Sequence, residues 1–305
     1  MSARRKSAAL QQSIMRADRL PAFLFLFPGL LFYVCFLVLP LVGTLILSFT
    51  DWNGFSFQQI RFVGFENFRH MVKDDPVFLW SFVHNLVFFL GNMTLKIGLA
   101  LLIALILDQG IPGANFLRGV YLLPTVLSLV VIGVTFKLAL SPTLGFMNPF
   151  LKAIGLRSLA GDFLGSPSRA LLVLVLIDSW GGFGLFMFLF VSRLIGISQE
   201  LHEAAYIDGA NRLQDIWFIT FPQLTPTYWM VALLGAIESF KLFANVYVLT
   251  TGGPNHASEV LSTWAYFEAF TANKVGYGSS ILLIQLLITV LIIFLQTKYQ
   301  PKVDI

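Results

Sequence analysis

LPAFLFLFPGLLFYVCFLVLPLVGTLILSFT, residues 20–50, contains no charged side chain. A bilayer core about 30 Å thick takes roughly 20 helical residues to cross, so this run predicts a transmembrane helix. It is too long for a signal-peptide core. Its end, Ser48-Phe49-Thr50-Asp51-Trp52, lacks a small-residue cleavage pattern. The segment reads as a retained span, with Pro28 and Pro40 as candidate kinks.

Reading outward, the composition agrees. Of 305 residues, 57% are hydrophobic and 12% charged, where a soluble domain carries about 25% charged residues. The formal charge is +4, with basic residues scattered or terminal, which argues against a nucleic-acid-binding stripe. Cys35 is the single cysteine, so no intramolecular disulfide can form. Further apolar segments fall at 79–107, interrupted by Asn85, Asn92 and Lys96, then at 116–140, 169–193, 227–250 and 277–297. The expectation is an all-α integral membrane protein with six transmembrane helices. Arg4, Arg5, Lys6, Arg16 and Arg19 precede the first span, opposed only by Asp18. The positive-inside rule puts that end in the cytoplasm, and an even number of crossings returns Lys298 and Lys302 to the same side. The chain then divides into a basic segment (1–19), a membrane domain (20–300) and a short tail (301–305), both ends cytoplasmic. Loops 108–118 and 194–226 face the cytoplasm. Loops 51–78 and 141–168 lie outside, the first large enough to form part of a docking surface.

Ionisable residues within spans are costly and are functional candidates by default. Asp178 and Ser179 precede Trp180-Gly181-Gly182-Phe183-Gly184, whose glycines thin the fourth span. Glu238, Ser239 and Lys241 form a second polar group. Glu238 and Lys241 stand i,i+3 and share a helix face, either as a structural pair or as a substrate contact. Lys96 reads as a snorkelling residue or one at a subunit interface.

The 194–226 loop carries the most specific motif. Ser198 is a candidate N-cap, with Glu200 in the positive first turn behind it. Ala204 and Ala205 keep the next turn thin, and Gly209 can adopt a positive φ and end the helix. A second short helix, 211–221, then runs up to Pro222. Glu203-Ala204-Ala205-Tyr206-Ile207-Asp208-Gly209-Ala210, followed by Ile219-Thr220-Phe221-Pro222, resembles the EAA loop of permease subunits in ABC-type importers. Pro124, Leu249-Thr250-Thr251-Gly252-Gly253-Pro254 and Tyr266-Phe267-Glu268-Ala269-Phe270 extend the resemblance to six-span relatives of the larger maltose-transporter permease subunit. Three positions depart from it: Ser198 replaces a usual proline, Ile216 a common aromatic, and Ala244 a frequent aspartate.

The resemblance implies a type I ABC importer permease fold moving a carbohydrate, polyol or sugar derivative across the inner membrane of a prokaryote. It implies docking to an ATPase through Glu200, Glu203, Ala204, Ala205, Asp208, Gly209, Ala210 and Pro222. Substrate contacts would come from Asp178, Gly182, Glu238, Ser239, Lys241 and Leu242. The implied partners are a second permease subunit, two copies of a nucleotide-binding ATPase, an extracytoplasmic solute-binding protein and membrane lipid. No G-x-x-x-x-G-K-[ST] loop is present, so ATP and Mg2+ are expected on the partner and no cofactor on this chain. No Cys/His spacing suits zinc, and His70, His84, His202 and His256 are isolated in sequence. A stand-alone secondary transporter and an intramembrane enzyme, with Asp178 or Glu238 as the working group, are the competing readings.

Overall fold

In the computed structural model residues 19–300 are described. Arg4, Arg5, Lys6, Arg16, Asp18, Lys302 and the 301–305 tail lie outside the described residues. The architecture is helical, with one two-residue antiparallel pair, Thr50–Asp51 against Arg61–Phe62. The first span is α1 (Arg19–Tyr33), a π turn (Val34–Val38) and α2 (Leu39–Leu47). No residue from 24 to 47 is buried within the chain. So much apolar surface requires lipid or another protein against it.

Prolines shape these helices through the turns that precede them. Pro40 and Pro222 each lie two residues after a π turn, Val34–Val38 and Ile216–Thr220 respectively. A proline has no N–H and its ring clashes with the carbonyl four residues back. The widened turn, closed by Leu39 N–H to Val34 O and Phe221 N–H to Ile216 O, lets the helix continue through it.

The second span joins α4 (Pro76–Gly91) through a π turn (Asn92–Lys96) to α5 (Ile97–Leu107), with α3 (Glu66–Lys73) before it. The predicted third span, 116–140, is not one helix. It breaks into α6 (Ala114–Val126) and α7 (Leu129–Ala139), bent by 92°. Leu127 and Ser128 are extended there, with ψ of 143° and 136°, and Pro124 offers no N–H to the end of α6. After a short α8 (Met147–Ala153), the fourth span is α9 (Pro167–Ile195). The predicted fifth span, 227–250, is also interrupted. Following α10 (Gln199–Ile207) and α11 (Arg212–Asp215), helix α12 (Phe221–Phe240) stops, and α13 (Ala244–Leu249) begins anew. The last elements are α14 (Leu261–Tyr266) and α15 (Val275–Tyr299). Among the described residues, four helices can cross a membrane by length and apolar composition, or five if the bent pair counts as one span. Helix α12, with Gln223, Thr225, Thr227, Glu238 and Ser239, is not among them.

The unwound 241–243 stretch leaves helix-end carbonyls that must be satisfied away from water. Asn85 Nδ2 donates to Ser239 O at 2.9 Å, Gln285 Nε2 to Phe240 O, and Ser262 Oγ to Leu242 O. Three other segments thus close the break.

Asp75 performs a similar service at the head of α4. Its Oδ1 accepts from Phe78 N–H at 2.9 Å, and its Oδ2 from Trp264 Nε1 at 2.8 Å and from the Tyr277 hydroxyl. This buried carboxylate ties α4 to α14 and α15. Asp75→Ala strands those buried donors and should cost about 2–4 kcal/mol, read as a lower melting temperature of the detergent-purified protein. Asp75→Asn, which keeps acceptor oxygen, should cost less. Equal melting of Asp75→Ala and the unmodified chain would contradict this role.

Candidate functional site

The polar side chains of three spans meet at Lys96. The π turn Asn92–Lys96 delivers this lysine into the protein, where its side chain is 3% exposed. Its Nζ donates to Asp178 Oδ2 at 3.0 Å and to Glu238 Oε2 at 2.9 Å. The ring of Phe186 lies 5.6 Å from the same ammonium, a favourable cation–π distance. Gly182 makes room for it: a Cβ there would come within 2.7 Å of Lys96 Cε and Nζ. Gly184 plays the same part for the backbone of α6, since a Cβ there would overlap the Tyr121 carbonyl.

The two carboxylates are not equivalent. Asp178 is 10% exposed, and both its oxygens are engaged, Oδ2 by Lys96 and Oδ1 by Asn245 Nδ2 at 2.7 Å. Glu238 is 45% exposed, and only its Oε2 is engaged. One carboxylate edge of Glu238 is therefore open, held rigidly by a buried cation. Two carboxylates on one ammonium leave the group formally anionic.

Of the six residues expected at a substrate site, Asp178, Gly182 and Glu238 converge. Gly182, however, faces the lysine stem. Ser239 is fully buried: its Oγ donates to Gly235 O at 2.7 Å and accepts from Asn92 Nδ2 at 2.7 Å. Leu242 is buried in an apolar cluster with Phe88, Ile132 and Val246. Neither is open to a solute in this conformation. Lys241 is exposed beyond the end of α12 and makes no ion pair among the described residues. The i,i+3 pairing with Glu238 does not form, because Glu238 takes Lys96 instead. Lys96 does not snorkel; it is the centre of the group. The sequence signal for it was a lone cation in an apolar run, which demands a carboxylate wherever it is buried. Asn245 was also missed, as were the aromatics flanking it. Phe243 and Tyr247 stack at 5.2 Å, with Tyr266 edge-on to both.

The 194–226 segment forms a separate element. Ser198 occupies the N-cap position of α10, but its hydroxyl caps nothing. Glu200, Ala204 and Asp208 are exposed, Ala205 and Ala210 half-buried. Glu203 accepts from Gln199 Nε2 at 2.9 Å. Gly209 has φ +86°, and a Cβ there would meet nothing within 4 Å. Backbone conformation alone therefore calls for glycine. Asn211 and Gln214 cap α11 reciprocally. The expected second helix, 211–221, is not a separate unit ending at Pro222. Residues 212–240 are helical without a break, through the π turn Ile216–Thr220 into α12, and Pro222 lies inside. The outward surface is apolar as well as acidic: Ile207, Leu213, Trp217 and Phe218 are exposed. His202, isolated in sequence, meets Asp215 in space, Nδ1 to Oδ1 at 2.7 Å.

Lys96→Met should destabilise the protein by about 3–5 kcal/mol, the usual effect of removing one partner from a buried ion pair. The uncharged triple variant Lys96→Met/Asp178→Asn/Glu238→Gln should recover most of that loss in thermal melts. A Lys96→Met protein as stable as the original would show the group to be water-filled and the pairing unimportant.

Comparison with known proteins gives a consistent identification. Residues 80–305 match the family model described as "Binding-protein-dependent transport system inner membrane component". The chain is 32% identical to the probable ABC transporter permease protein YurN of Bacillus subtilis, over 94% of this chain and 98% of that protein. It is 31% identical to the multiple sugar-binding transport system permease protein MsmF of Streptococcus mutans, covering 92% and 95% of the two chains. It is 30% identical to the trehalose/maltose transport system permease protein MalF of Thermococcus litoralis, covering 90% and 92%. Among solved structures, a chain of a bacterial ABC transporter for import of the acidic polysaccharide alginate superposes with a TM-score of 0.81. That match has 21% identity and covers 96% of this chain and 98% of the other, which establishes the shared fold. The chain is a multi-pass membrane subunit of a transport system rather than an enzyme, and it belongs to the family of inner-membrane permease components of binding-protein-dependent ABC transporters.

Proposed function

We propose that this permease conducts a sugar or polyol handed over by an extracytoplasmic binding protein, past the open edge of Glu238. The carrying observation is that edge: a half-exposed carboxylate near the end of α12, fixed by a buried ammonium. A rigid acceptor suits a hydroxyl donor, and stacked aromatics suit the apolar face of a sugar ring. Relatives named for multiple sugars and for trehalose/maltose support this class of solute.

Alternating access would be driven by two copies of a partner ATPase, one of them seated on α10, with ATP and Mg2+ bound there and not on this chain. Glu200, Glu203, Ala204, Ala205, Asp208, Gly209, Ala210 and Pro222 form that docking element. A second permease subunit would cover the first span, whose apolar side chains this chain leaves open. Six crossings with both ends cytoplasmic complete the reading, α12 and α13 together forming the fifth.

Three outcomes follow. Cysteine labelling in the 51–78 and 251–276 loops should occur from outside the cell, and labelling only from the cytoplasmic side would reverse the topology. Glu238→Ala should lower uptake at least about tenfold while the complex still assembles, a loss of the size one charged hydrogen bond supplies. Normal uptake with unchanged solute preference would remove Glu238 from the path. Gly209→Val strains the turn and Glu203→Lys reverses a charge. Both should depress receptor-stimulated ATP hydrolysis and uptake far more than receptor docking, and unaffected stimulation would take the coupling role away from this loop.

A further inference from the structure

Helix α10 is joined to the spans along the chain in both directions, to α9 through residues 196–198 and to helix 212–240 through the turn from Asp208 to Asn211, where Gly209 carries no side chain. His202 adds a link across the chain. Among the described residues, the hydrogen bond between His202 Nδ1 and Asp215 Oδ1 is the one side-chain polar link between α10 and helix 212–240. Asp215 is buried and sits in the first turn of that helix, where a carboxylate is favoured. Since the carboxylate accepts, His202 Nδ1 carries the proton.

Helix 212–240 is the element that reaches the substrate group. It has no break between Asp215 and Glu238, which is roughly 35 Å of helix at about 1.5 Å per residue. At its near end Arg193 of α9 donates to the Gln223 carbonyl at 3.0 Å and to the Gln223 side chain at 3.1 Å, forming a lateral support. At its far end Glu238 is pinned to Lys96. A displacement entering at Asp215 is thus carried along one rod to the open carboxylate. A displacement entering along the chain from α10 must first pass the Gly209 turn, where no Cβ stiffens the backbone.

We propose that His202 and Asp215 are positioning residues of the coupling step: their hydrogen bond fastens α10 to helix 212–240, so that movement of α10 becomes movement of Glu238. This inference rests on α10 being the ATPase-docking element.

The test uses the whole complex in proteoliposomes, with its receptor, and reads solute accumulated per ATP hydrolysed. His202→Phe keeps ring volume but loses the donor, and that ratio should fall at least about fivefold while ATP hydrolysis continues. His202→Asn places an amide N–H where Nδ1 stood and should restore the ratio to within about twofold. Equal ratios for His202→Phe and the unmodified complex, or equal losses for Phe and Asn, would overturn the proposal. Should His202→Phe fail to assemble, hydrogen exchange on the unmodified complex decides the matter. Peptides covering 199–207 and 212–220 should change protection together when vanadate traps the ATPase, and a change confined to 199–207 would refute the link. Failure of the underlying reading looks different: trapping would then alter neither peptide.

Discussion

One ammonium group shared by two carboxylates constrains this molecule more than any other contact. Lys96, Asp178 and Glu238 come from three different helical spans, and Lys96 is almost wholly enclosed. An unpaired ion in such a place costs several kcal/mol, so the three helices must keep a fixed mutual register. Other features follow from that requirement. Gly182 has no side chain because the lysine stem occupies its face. The chain breaks after Phe240, and Asn245 at the head of the new helix can then reach Asp178. The charge arithmetic does the rest. Asp178 is paired with the ammonium on one oxygen and hydrogen-bonded by the neutral Asn245 amide on the other, and the residual negative charge is exposed at Glu238.

The second constraint is backbone satisfaction. Membrane spans tolerate irregular backbone only where the protein supplies partners, and here it does so at the break after α12. The carbonyls of Ser239, Phe240 and Leu242 are taken by Asn85, Gln285 and Ser262. Asn85 also accepts from Leu261 N–H at 2.9 Å through its Oδ1, so one amide spans two helix termini. The polar residues that made the second span look impure in sequence are the ones that permit the break in the fifth. Elsewhere π turns absorb prolines and leave the helix continuous. That continuity makes residues 212–240 a single mechanical part, with the motif-bearing segment at one end and the polar group at the other.

Much of this was legible from residues alone. An uncharged run as long as 20–50 has one reading, and the Glu203–Gly209–Pro222 spacing is specific enough to imply the permease fold. Positive φ at Gly209 followed from its place after a thin alanine turn. Long-range pairing was not legible. Local periodicity puts Lys241 on the same face as Glu238, but it cannot report a lysine far upstream that reaches the same carboxylate. Nor could it tell that Ser239 faces inward towards Asn92 while Glu238, its neighbour, faces out. The 92° break in the third span was hidden because Leu127 and Ser128 are ordinary span residues, extended by context rather than by type. His202 looked idle because its partner lies across a turn whose geometry the sequence does not state.

Solute is to move through this chain on the energy of a partner's ATP. The most direct test is accumulation of a radiolabelled neutral sugar accepted by the cognate receptor, in sealed proteoliposomes holding the permease pair and the ATPase. Accumulation against the gradient is expected when ATP and Mg2+ are enclosed on the cytoplasmic side, and none when a proton or sodium gradient replaces them. Accumulation driven by an ion gradient, with no nucleotide present, would contradict that coupling.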